Sequence, residues 1–284
     1  MSRPPISVPG AYGARAEADV IELFGLHVAA ATAAEMIANI RTAALSGRVR
    51  IAYVNAHTLN LACRYESLRA ALQHSDFVLN DGAGVALAAR IHGRRFPANL
   101  QGSDFNLQLL RMVAFERWPV FLLGGRPGIA DRAAAEIARA VPGVHIAGTR
   151  HGYHRRPEHD VAAITASGAE VLLVAMGNPR QELWLEECFR ELPHVRVGVG
   201  VGAFLDFQAK VISRAPGWMN DCKIEWLYRL AQEPRRLSKR YIIGNPQFVL
   251  RVMRERIGAR SAGVTPSDGA SHLALRQTST RPRQ

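Results

Sequence analysis

The sequence predicts an α/β protein with a mostly parallel sheet, helices on both faces of that sheet and a basic helical segment after the last strand. Short apolar runs rich in β-branched residues alternate with segments of helical periodicity, and their five to nine residues suit strands better than helices. The strand candidates are 50–55, 76–80, 119–125, 143–148, 169–177 and 195–202. Strands and helices that alternate in this way form parallel sheets buried on both faces.

Three of the intervening segments, 57–73, 127–143 and 179–193, carry helix signals. Pro127 and Pro179 suit the first turn of a helix, and Gly143 suits the position after its end. Ligands of parallel α/β sheets bind beyond the carboxyl ends of the strands. The residues that follow each strand are therefore the candidates for a functional site.

The charge of the chain is concentrated near its C-terminus. The 284 residues carry 36 Lys or Arg against 24 Asp or Glu, a formal net charge of +12. Residues 210–260 hold 12 basic and 4 acidic side chains, so +8 of that charge lies there. Such an asymmetry indicates an anionic partner, which could be a nucleic acid, an anionic membrane surface or a phosphorylated substrate, or simply a solvated basic surface.

Composition and segment boundaries narrow the class of protein. No apolar run approaches the roughly 18 residues that a membrane-spanning helix needs. The N-terminus lacks the apolar region of a secretory signal, and Cys63, Cys188 and Cys222 have no C-x-x-C spacing, which predicts a reducing cytoplasmic compartment without structural zinc. We expect disorder at 1–18 and 261–284, an α/β core at 19–213 and a basic helical appendage at 214–260.

Polar residues follow the first two predicted strands. Asn55 and His57 come after the first strand, where Asn satisfies turn backbone as often as it holds a ligand. Asp81 follows the second strand at a helix entrance, within 80-NDGAGVALAAR-90. An Asp at that position is either a helix cap or a general base whose pKa burial raises.

Glycines and amides follow the later strands. Gly124 and Gly125 lie in 123-LGGRPG-128, a strand-to-helix turn whose backbone N–H groups could approach a diphosphate, although such turns also arise for steric reasons. Asn178, Gln181 and Glu182 occupy a second junction of this kind, and the glycine-rich run 198-GVGVGAFLDFQAK-210 follows the last strand.

Several enzyme classes lack their sequence signals. No strand is followed by the three-glycine fingerprint of dinucleotide oxidoreductases with an acidic residue about 20 positions on. No His, Cys and Asp cluster has metal-ligand spacing, and no G-x-S-x-G elbow is present, which disfavours metallohydrolases and serine hydrolases. The basic segment also lacks an aromatic-rich nucleic-acid signature, so no nucleic acid is expected as a partner.

Nine segments in order resemble one family. They are 55-NAH-57, 80-NDGAGVALA-88, 102-GSDF-105, 121-FLLGG-125, 177-GNPRQE-182, 198-GVGVGAFLDFQA-209, 214-RAPGWM-219, 225-EWLYRL-230 and 233-EPRRLSKRY-241. Together they resemble the WecG/TagA/CpsF family of bacterial glycosyltransferases (glycosyltransferase family 26), over residues 20–257.

This resemblance implies an inverting, metal-independent transferase with a Rossmann-like core and no cofactor. It would move a sugar from a UDP-sugar to a polyprenyl-diphosphate-linked saccharide in exopolysaccharide or cell-surface polysaccharide biosynthesis. The donor sugar would be N-acetylmannosamine, its uronic acid or glucose. The appendage would hold the protein peripherally on the anionic inner face of the cell membrane, where each basic residue contributes about 1 kcal/mol.

The resemblance also assigns roles to residues. Asp81 matches the proposed catalytic base, which removes the proton of the acceptor hydroxyl. Arg229, Arg236 and Arg240 match basic positions of the appendage that would stabilise the leaving nucleoside diphosphate, with Arg214 nearby in sequence.

The remaining matches belong to substrate binding. Asn55 and His57 should line the cleft, and the candidates for the donor site are Gly124, Gly125, Asn178, Gln181 and Glu182.

Two positions depart from the family pattern. Tyr53 stands where many members have Thr near the sugar, so it indicates either a different donor sugar or a shifted contact. Lys210 stands where Gly is usual, and its cation could meet a phosphate or an acidic sugar, or simply face water.

The oligomeric state and an alternative class of function stay open. An apolar face of the appendage could bury itself in a homo-oligomer. A different class of function is a non-catalytic module that binds membrane or nucleic acid through the basic segment.

Overall fold

The computed structural model describes residues 19–153, 157–213, 219 and 225–261. The strands are β1 Val20–Leu23, β2 Leu26–Ala29, β3 Val49–Val54, β4 Phe77–Asn80, β5 Val120–Gly124, β6 Ile146–Arg150, β7 Val171–Ala175 and β8 Val197–Gly200. The first nine helices are α1 Ala33–Ser46, α2 Ala56–Ala62, α3 Glu66–Gln73, α4 Ala83–Ile91, α5 Gly102–Phe115, α6 Ile129–Ala140, α7 Pro157–Ser167, α8 Arg180–Cys188 and α9 Phe204–Gln208. A C-terminal group follows: α10 Glu225–Gln232, α11 Pro234–Ser238, a π-helical turn Lys239–Ile243 and α12 Gly244–Ser261.

The described strands form one sheet in the order β1-β2-β4-β3-β8-β7-β5-β6. The edge hairpin β1–β2 is antiparallel and every other neighbouring pair is parallel. Strands β3, β4, β5, β7 and β8 are buried along their whole length, as expected for β-branched and aliphatic runs covered on both faces. The predicted α/β fold with a mostly parallel sheet is confirmed.

Helices cover both faces of the sheet. One face packs against α1, α5, α6 and α9 around residues such as Ile40, Leu109 and Phe204. The other face is divided: α2, α3, α4 and α12 cover β1–β4, and α7 and α8 cover β5 and β7. The strand order places β3 beside β8, so the connections that follow these two strands go to opposite faces and open a crevice between them.

The elements differ from the sequence prediction at a few places. The predicted helix 57–73 is two helices, because the chain is extended at Tyr65 (φ −117°, ψ 109°) before α3 begins. The predicted strand 143–148 begins only at Ile146, since Gly143 (φ +84°) lies in a turn. The prediction also missed the β1–β2 hairpin, whose turn has two positive φ values, 54° at Phe24 and 72° at Gly25.

Helix α12 packs directly onto the α/β core. Phe248 and Val252 are fully buried in the cluster that includes β1, β2 and α4, and the ring of Phe248 lies 5.9 Å from that of Phe24. The backbone N–H of Phe24 also donates to Glu255 Oε1 at 2.8 Å. Apolar residues recur at helical spacing on α12, but they do not share one environment: Val252 is buried, while Met253 and Ile257 are exposed.

Among the described residues, no helix combines the length and the hydropathy that a bilayer-spanning segment needs.

The packing of α12 predicts a specific loss of stability. Phe248→Ala should lower the free energy of unfolding by about 3 kcal/mol, because it removes a buried ring and leaves a cavity. Leu250→Ala, a substitution on the same helix at a side chain that is 50% exposed, should change it by less than about 0.5 kcal/mol. Urea denaturation followed by circular dichroism measures both, and equal effects would contradict the packing of α12 on the core.

Candidate active site

A cavity of about 610 Å³ lies at the carboxyl ends of β3, β4, β7 and β8. Seven residues that the sequence singled out line it: Tyr53, Asn55, His57, Asp81, Asn178, Gln181 and Arg240. The C-terminal group closes one side, because Lys239, Ile243, Gly244 and Arg251 also line the cavity. Its position matches the ligand site of open parallel sheets.

The other residues predicted for the site either do not line the cavity or have no described side chain. Glu182 is buried directly behind Gln181, and Gly124 and Gly125 are not among the lining residues. Arg214 lies outside the described residues. Arg229 and Arg236 lie on α10 and α11, but their side chains are outside the described part of the structure.

Asn55 and Asp81 meet at the centre of the crevice. Asn55 caps α2: its Oδ1 accepts from the N–H groups of His57 and Thr58, each at 3.1 Å. With the oxygen used in this way, Nδ2 lies 3.4 Å from Asp81 Oδ2. Asn55 therefore satisfies local backbone and contacts the carboxylate of Asp81, while a role in holding a ligand stays a prediction.

Asp81 does not occupy the cap position of the helix that follows it. Helix α4 has Gly82 at its N-cap, without a side-chain cap. The N–H of Asp81 instead donates to Val54 O at 2.9 Å, which ties the end of β4 to β3. Asp81 is half-buried and faces the cavity, where a carboxylate can accept a proton from a bound hydroxyl.

Tyr53 and His57 are neutral neighbours of this carboxylate. Tyr53 is buried and donates its hydroxyl hydrogen to Asn106 Oδ1 at 2.8 Å. Burial, and secondarily the charge of Asp81, raises the pKa of Tyr53 well above its usual value. Burial, and secondarily Arg240, lowers the pKa of His57 to about 4, so His57 is uncharged at neutral pH and can both donate and accept a hydrogen bond.

A buried amide joins the two loops on the opposite side of the cavity. Gln181 Oε1 accepts from Gly177 N–H at 3.2 Å and from Gly202 N–H at 3.0 Å, which links the loop after β7 to the loop after β8. Gln181 Nε2 donates to Glu182 Oε1 at 2.8 Å, and Asn178 Nδ2 donates to the same oxygen. The carboxyl of Glu182 therefore fixes the orientation of both amides that line this wall.

The strand-end glycines have little hydrogen-bonding capacity left for phosphate. The N–H of Gly125 donates to Ala175 O at 3.0 Å, as those of Gly177 and Gly202 do to Gln181. A Cβ at Gly124 would lie 2.3 Å from Ala175 O, and one at Gly125 would lie 2.6 Å from Ile129 Cγ2, so close packing requires glycine at both positions. A donor-site role for Gly124 and Gly125 stays a prediction.

Lys210 also has a conformational explanation. Its φ is +55°, in the left-handed region that glycine adopts most readily, which accounts for the Gly expected there from the family pattern. Lys210 Nζ lies 2.7 Å from Glu136 Oε2, and the residue does not line the cavity.

Sequence reasoning missed three cations of the cavity wall: Arg64, Lys239 and Arg251. Arg251 Nη1 donates to Asn60 O and to Asn60 Oδ1, each at 2.9 Å, and Asn60 Nδ2 donates to Gly244 O at 2.7 Å. The charge count of residues 210–260 includes Lys239 and Arg251, but nothing in the sequence indicates that α12 returns to α2. Of the described lining residues, four are cationic and Asp81 alone is acidic.

The burial of Glu182 predicts a pH-dependent stability. Burial raises the pKa of its carboxyl from 4.5 to about 7, so the folded protein holds this proton at pH values where the unfolded chain has lost it. The stabilisation is complete below pH 4.5 and is lost as the pH rises through 7, by at most about 3 kcal/mol.

When the pH rises from 5 to 8, the free energy of unfolding should therefore fall less for Glu182→Gln, which stays neutral, than for the original protein. Glu187→Gln, at an exposed position of the same helix, should keep the original pH profile. Urea titrations across this range measure the difference, and parallel profiles for the original protein and Glu182→Gln would contradict the raised pKa.

The sequence model of the Glycosyl transferase WecG/TagA/CpsF family matches residues 21–262, which is most of the chain. The match covers every described strand except Val20, the first residue of β1, and the whole wall of the cavity. It agrees with the resemblance drawn from nine separate segments, and the chain therefore belongs to the glycosyl transferase WecG/TagA/CpsF family.

Proposed function

We propose that this glycosyltransferase moves a sugar from a UDP-sugar to a polyprenyl-diphosphate-linked saccharide, with inversion and without a metal, in exopolysaccharide or cell-surface polysaccharide biosynthesis. The observation that carries the proposal is a single carboxylate, Asp81, held by Asn55 within a cavity whose other charged lining residues, among those described, are cations. That combination suits a base beside an anionic substrate.

A carboxylate and neighbouring cations are sufficient for this transfer reaction. Asp81 accepts the proton of the acceptor hydroxyl while that oxygen bonds to the anomeric carbon of the donor. The bond between this carbon and the diphosphate oxygen breaks, and its electron pair leaves with UDP. A single displacement of this kind inverts the anomeric centre and requires one base.

Cations offset the charge that develops on the leaving group. Arg240 lines the cavity and acts electrostatically on His57, which places it near Asn55 and Asp81. We assign Arg229, Arg236 and Arg214 to the same task as a proposal, on the family resemblance alone. Because His57 is uncharged at neutral pH, it does not repel these cations, and it can bond to a sugar hydroxyl.

The sugar of the donor would lie against the amide wall. Asn178 and Gln181 face the cavity with their orientations set by Glu182. Uncharged amides suit sugar hydroxyl and acyl groups, and the donor candidates remain N-acetylmannosamine, its uronic acid and glucose. Tyr53 contributes its ring to the wall, because its hydroxyl already bonds to Asn106.

Asp81→Asn tests the catalytic assignment. It should reduce single-turnover transfer by about a thousandfold, because the amide cannot accept the proton, while UDP-sugar affinity stays within about threefold. Transfer from a panel of UDP-sugars to a short polyprenyl-diphosphate-linked saccharide measures the first quantity, and calorimetry measures the second.

Glu22→Gln, the same change of charge at an exposed position on β1, is the control and should transfer at the original rate. Transfer by Asp81→Asn at more than a tenth of the original rate would place the base elsewhere. A protein indifferent to every UDP-sugar would favour a non-catalytic membrane- or nucleic-acid-binding module.

The C-terminal group supports a peripheral position on the anionic inner membrane. Its exposed large apolar side chains are Trp226, Leu227, Ile242, Ile243, Leu250, Met253 and Ile257. Exposed cations, including Lys239 and Arg254, lie among them. Apolar and basic residues together match the requirements of a helix surface that rests on anionic lipid.

The double substitution Met253→Glu/Ile257→Glu should weaken binding to phosphatidylglycerol vesicles by at least about tenfold, since it places two carboxylates at the lipid surface. Leu45→Glu, at a side chain equally exposed on α1, should leave binding unchanged. Co-sedimentation of the full chain with vesicles provides the measurement, and unchanged binding of the double variant would contradict membrane docking through α12.

A further inference from the structure

Three cations of the cavity wall have no assigned task in sugar transfer, namely Arg64, Lys239 and Arg251. Within the described ranges, none of them forms an ion pair with a carboxylate, whereas cations elsewhere do, such as Arg41 with Glu116 and Arg196 with Glu170. Three positive charges that face one cavity repel one another, and Asp81 is the one carboxylate among the described lining residues. An anion at this place would relieve that repulsion.

The guanidinium of Arg251 is held in a fixed orientation. One of its nitrogens, Nη1, makes both bonds to Asn60, and the amide of Asn60 is itself fixed by Gly244 O. Arg251 is only half-buried, so part of its fork is open to the cavity. An arginine fixed in this way loses little conformational entropy when it binds a phosphate group, which favours recognition over a loose surface charge.

Two of these cations, Arg64 and Arg251, are separated from the reaction centre along α2. Asn60 lies five residues beyond Asn55, which is about 7 Å along α2 at about 1.5 Å per residue, and Arg64 is farther in the same direction. In the donor, the diphosphate is joined to the reacting carbon through one oxygen. In the acceptor, a whole sugar ring separates the reacting hydroxyl from the diphosphate. The distance along α2 suits the acceptor's diphosphate.

The surface beside these cations is apolar. Ile243 lines the cavity and is 48% exposed, and two further aliphatic side chains are exposed: Ile242, next to Ile243 in sequence, and Leu250, next to Arg251. A ligand with a diphosphate head and a hydrocarbon tail matches cations bordered by exposed aliphatic side chains. A nucleoside diphosphate has no group that would use those side chains.

We propose that Arg64, Lys239 and Arg251, with Arg251 fixed by Asn60, form the binding site for the diphosphate of the isoprenoid acceptor, distinct from the site for the donor's diphosphate. The proposal rests on the proposed function, because it presupposes a lipid-linked diphosphate acceptor. It divides the cavity into an amide wall for the donor sugar and a cationic wall between α2 and α12 for the acceptor head group.

Binding of farnesyl diphosphate, a short isoprenoid diphosphate, tests the site without turnover. Calorimetry with the full chain should show that Arg64→Gln and Arg251→Gln each weaken farnesyl diphosphate binding by about tenfold, as expected for the loss of one charge-assisted hydrogen bond. UDP affinity in both variants should stay within about twofold of the original. Arg254→Gln, the same change at an exposed position of α12 outside the cavity, should alter neither affinity.

The Arg64→Gln variant tests the site without disturbing the packing of the protein. The side chain of Arg64 is exposed and makes no hydrogen bond or ion pair to the described residues, so its replacement does not disturb α12 as loss of the Arg251–Asn60 bonds could. The inference would be overturned if the original protein failed to bind farnesyl diphosphate or if Arg64→Gln and Arg251→Gln bound it normally. Equal losses for UDP, or an equal loss in Arg254→Gln, would overturn it as well.

Failure of the proposed function gives a different result. In that case the original protein would bind no UDP-sugar and transfer no sugar, whatever its affinity for farnesyl diphosphate. The two affinities and the rate of transfer therefore separate the two proposals.

Discussion

The cavity depends on the packing of α12 against α2. Phe248 and Val252 bury their side chains in the core, and Arg251, between them in sequence, bonds twice to Asn60 on α2. The apolar contacts provide the stabilisation, since burial of a large side chain contributes about 1.5–3 kcal/mol, and the polar contacts set the register. This packing brings Lys239, Arg240 and Arg251 to the edge of a sheet whose own residues supply the carboxylate.

A second constraint is the need to satisfy backbone N–H groups at the ends of buried strands. Loops that leave β7 and β8 turn sharply, and their N–H groups at Gly177 and Gly202 are directed to one buried amide, Gln181. The same groups cannot also hold a phosphate. Both glycines have a positive φ, 73° at Gly177 and 58° at Gly202, which the sharp turns require. The charged side chains that the C-terminal group contributes to the cavity wall are Lys239, Arg240 and Arg251.

Because of these two constraints, the two walls of the cavity carry different kinds of side chain. One wall carries uncharged amides in fixed orientations, and the other carries cations bordered by exposed aliphatic side chains. Asp81 lines the same cavity beside Asn55.

Local sequence patterns were sufficient for much of the fold. Alternation of β-branched runs with helical segments predicted six strands close to their observed positions, because strand burial depends on residues adjacent in the chain. The β1–β2 hairpin was missed, because its strands have four residues each and its turn residue Phe24 adopts a positive φ that no sequence rule favours. The capping box Thr32–Glu35, by contrast, is a signal that the sequence carries and that could have located α1.

Sequence by itself determined six of the described strands, the family and the residues at the strand ends. These depend on short-range periodicity and on motifs that remain in order along the chain. Only the tertiary structure decided that Asn55 faces Asp81, that Gln181 and not a ligand occupies the glycine N–H groups, and that Arg64 and Arg251 share one wall. Arg64 and Arg251 are separated by 187 positions in the chain. Their proximity results from burial of Phe248 and Val252 against the core. The free energy of this long-range contact depends on the shape of the assembled surface, so the contact leaves no local pattern in the sequence.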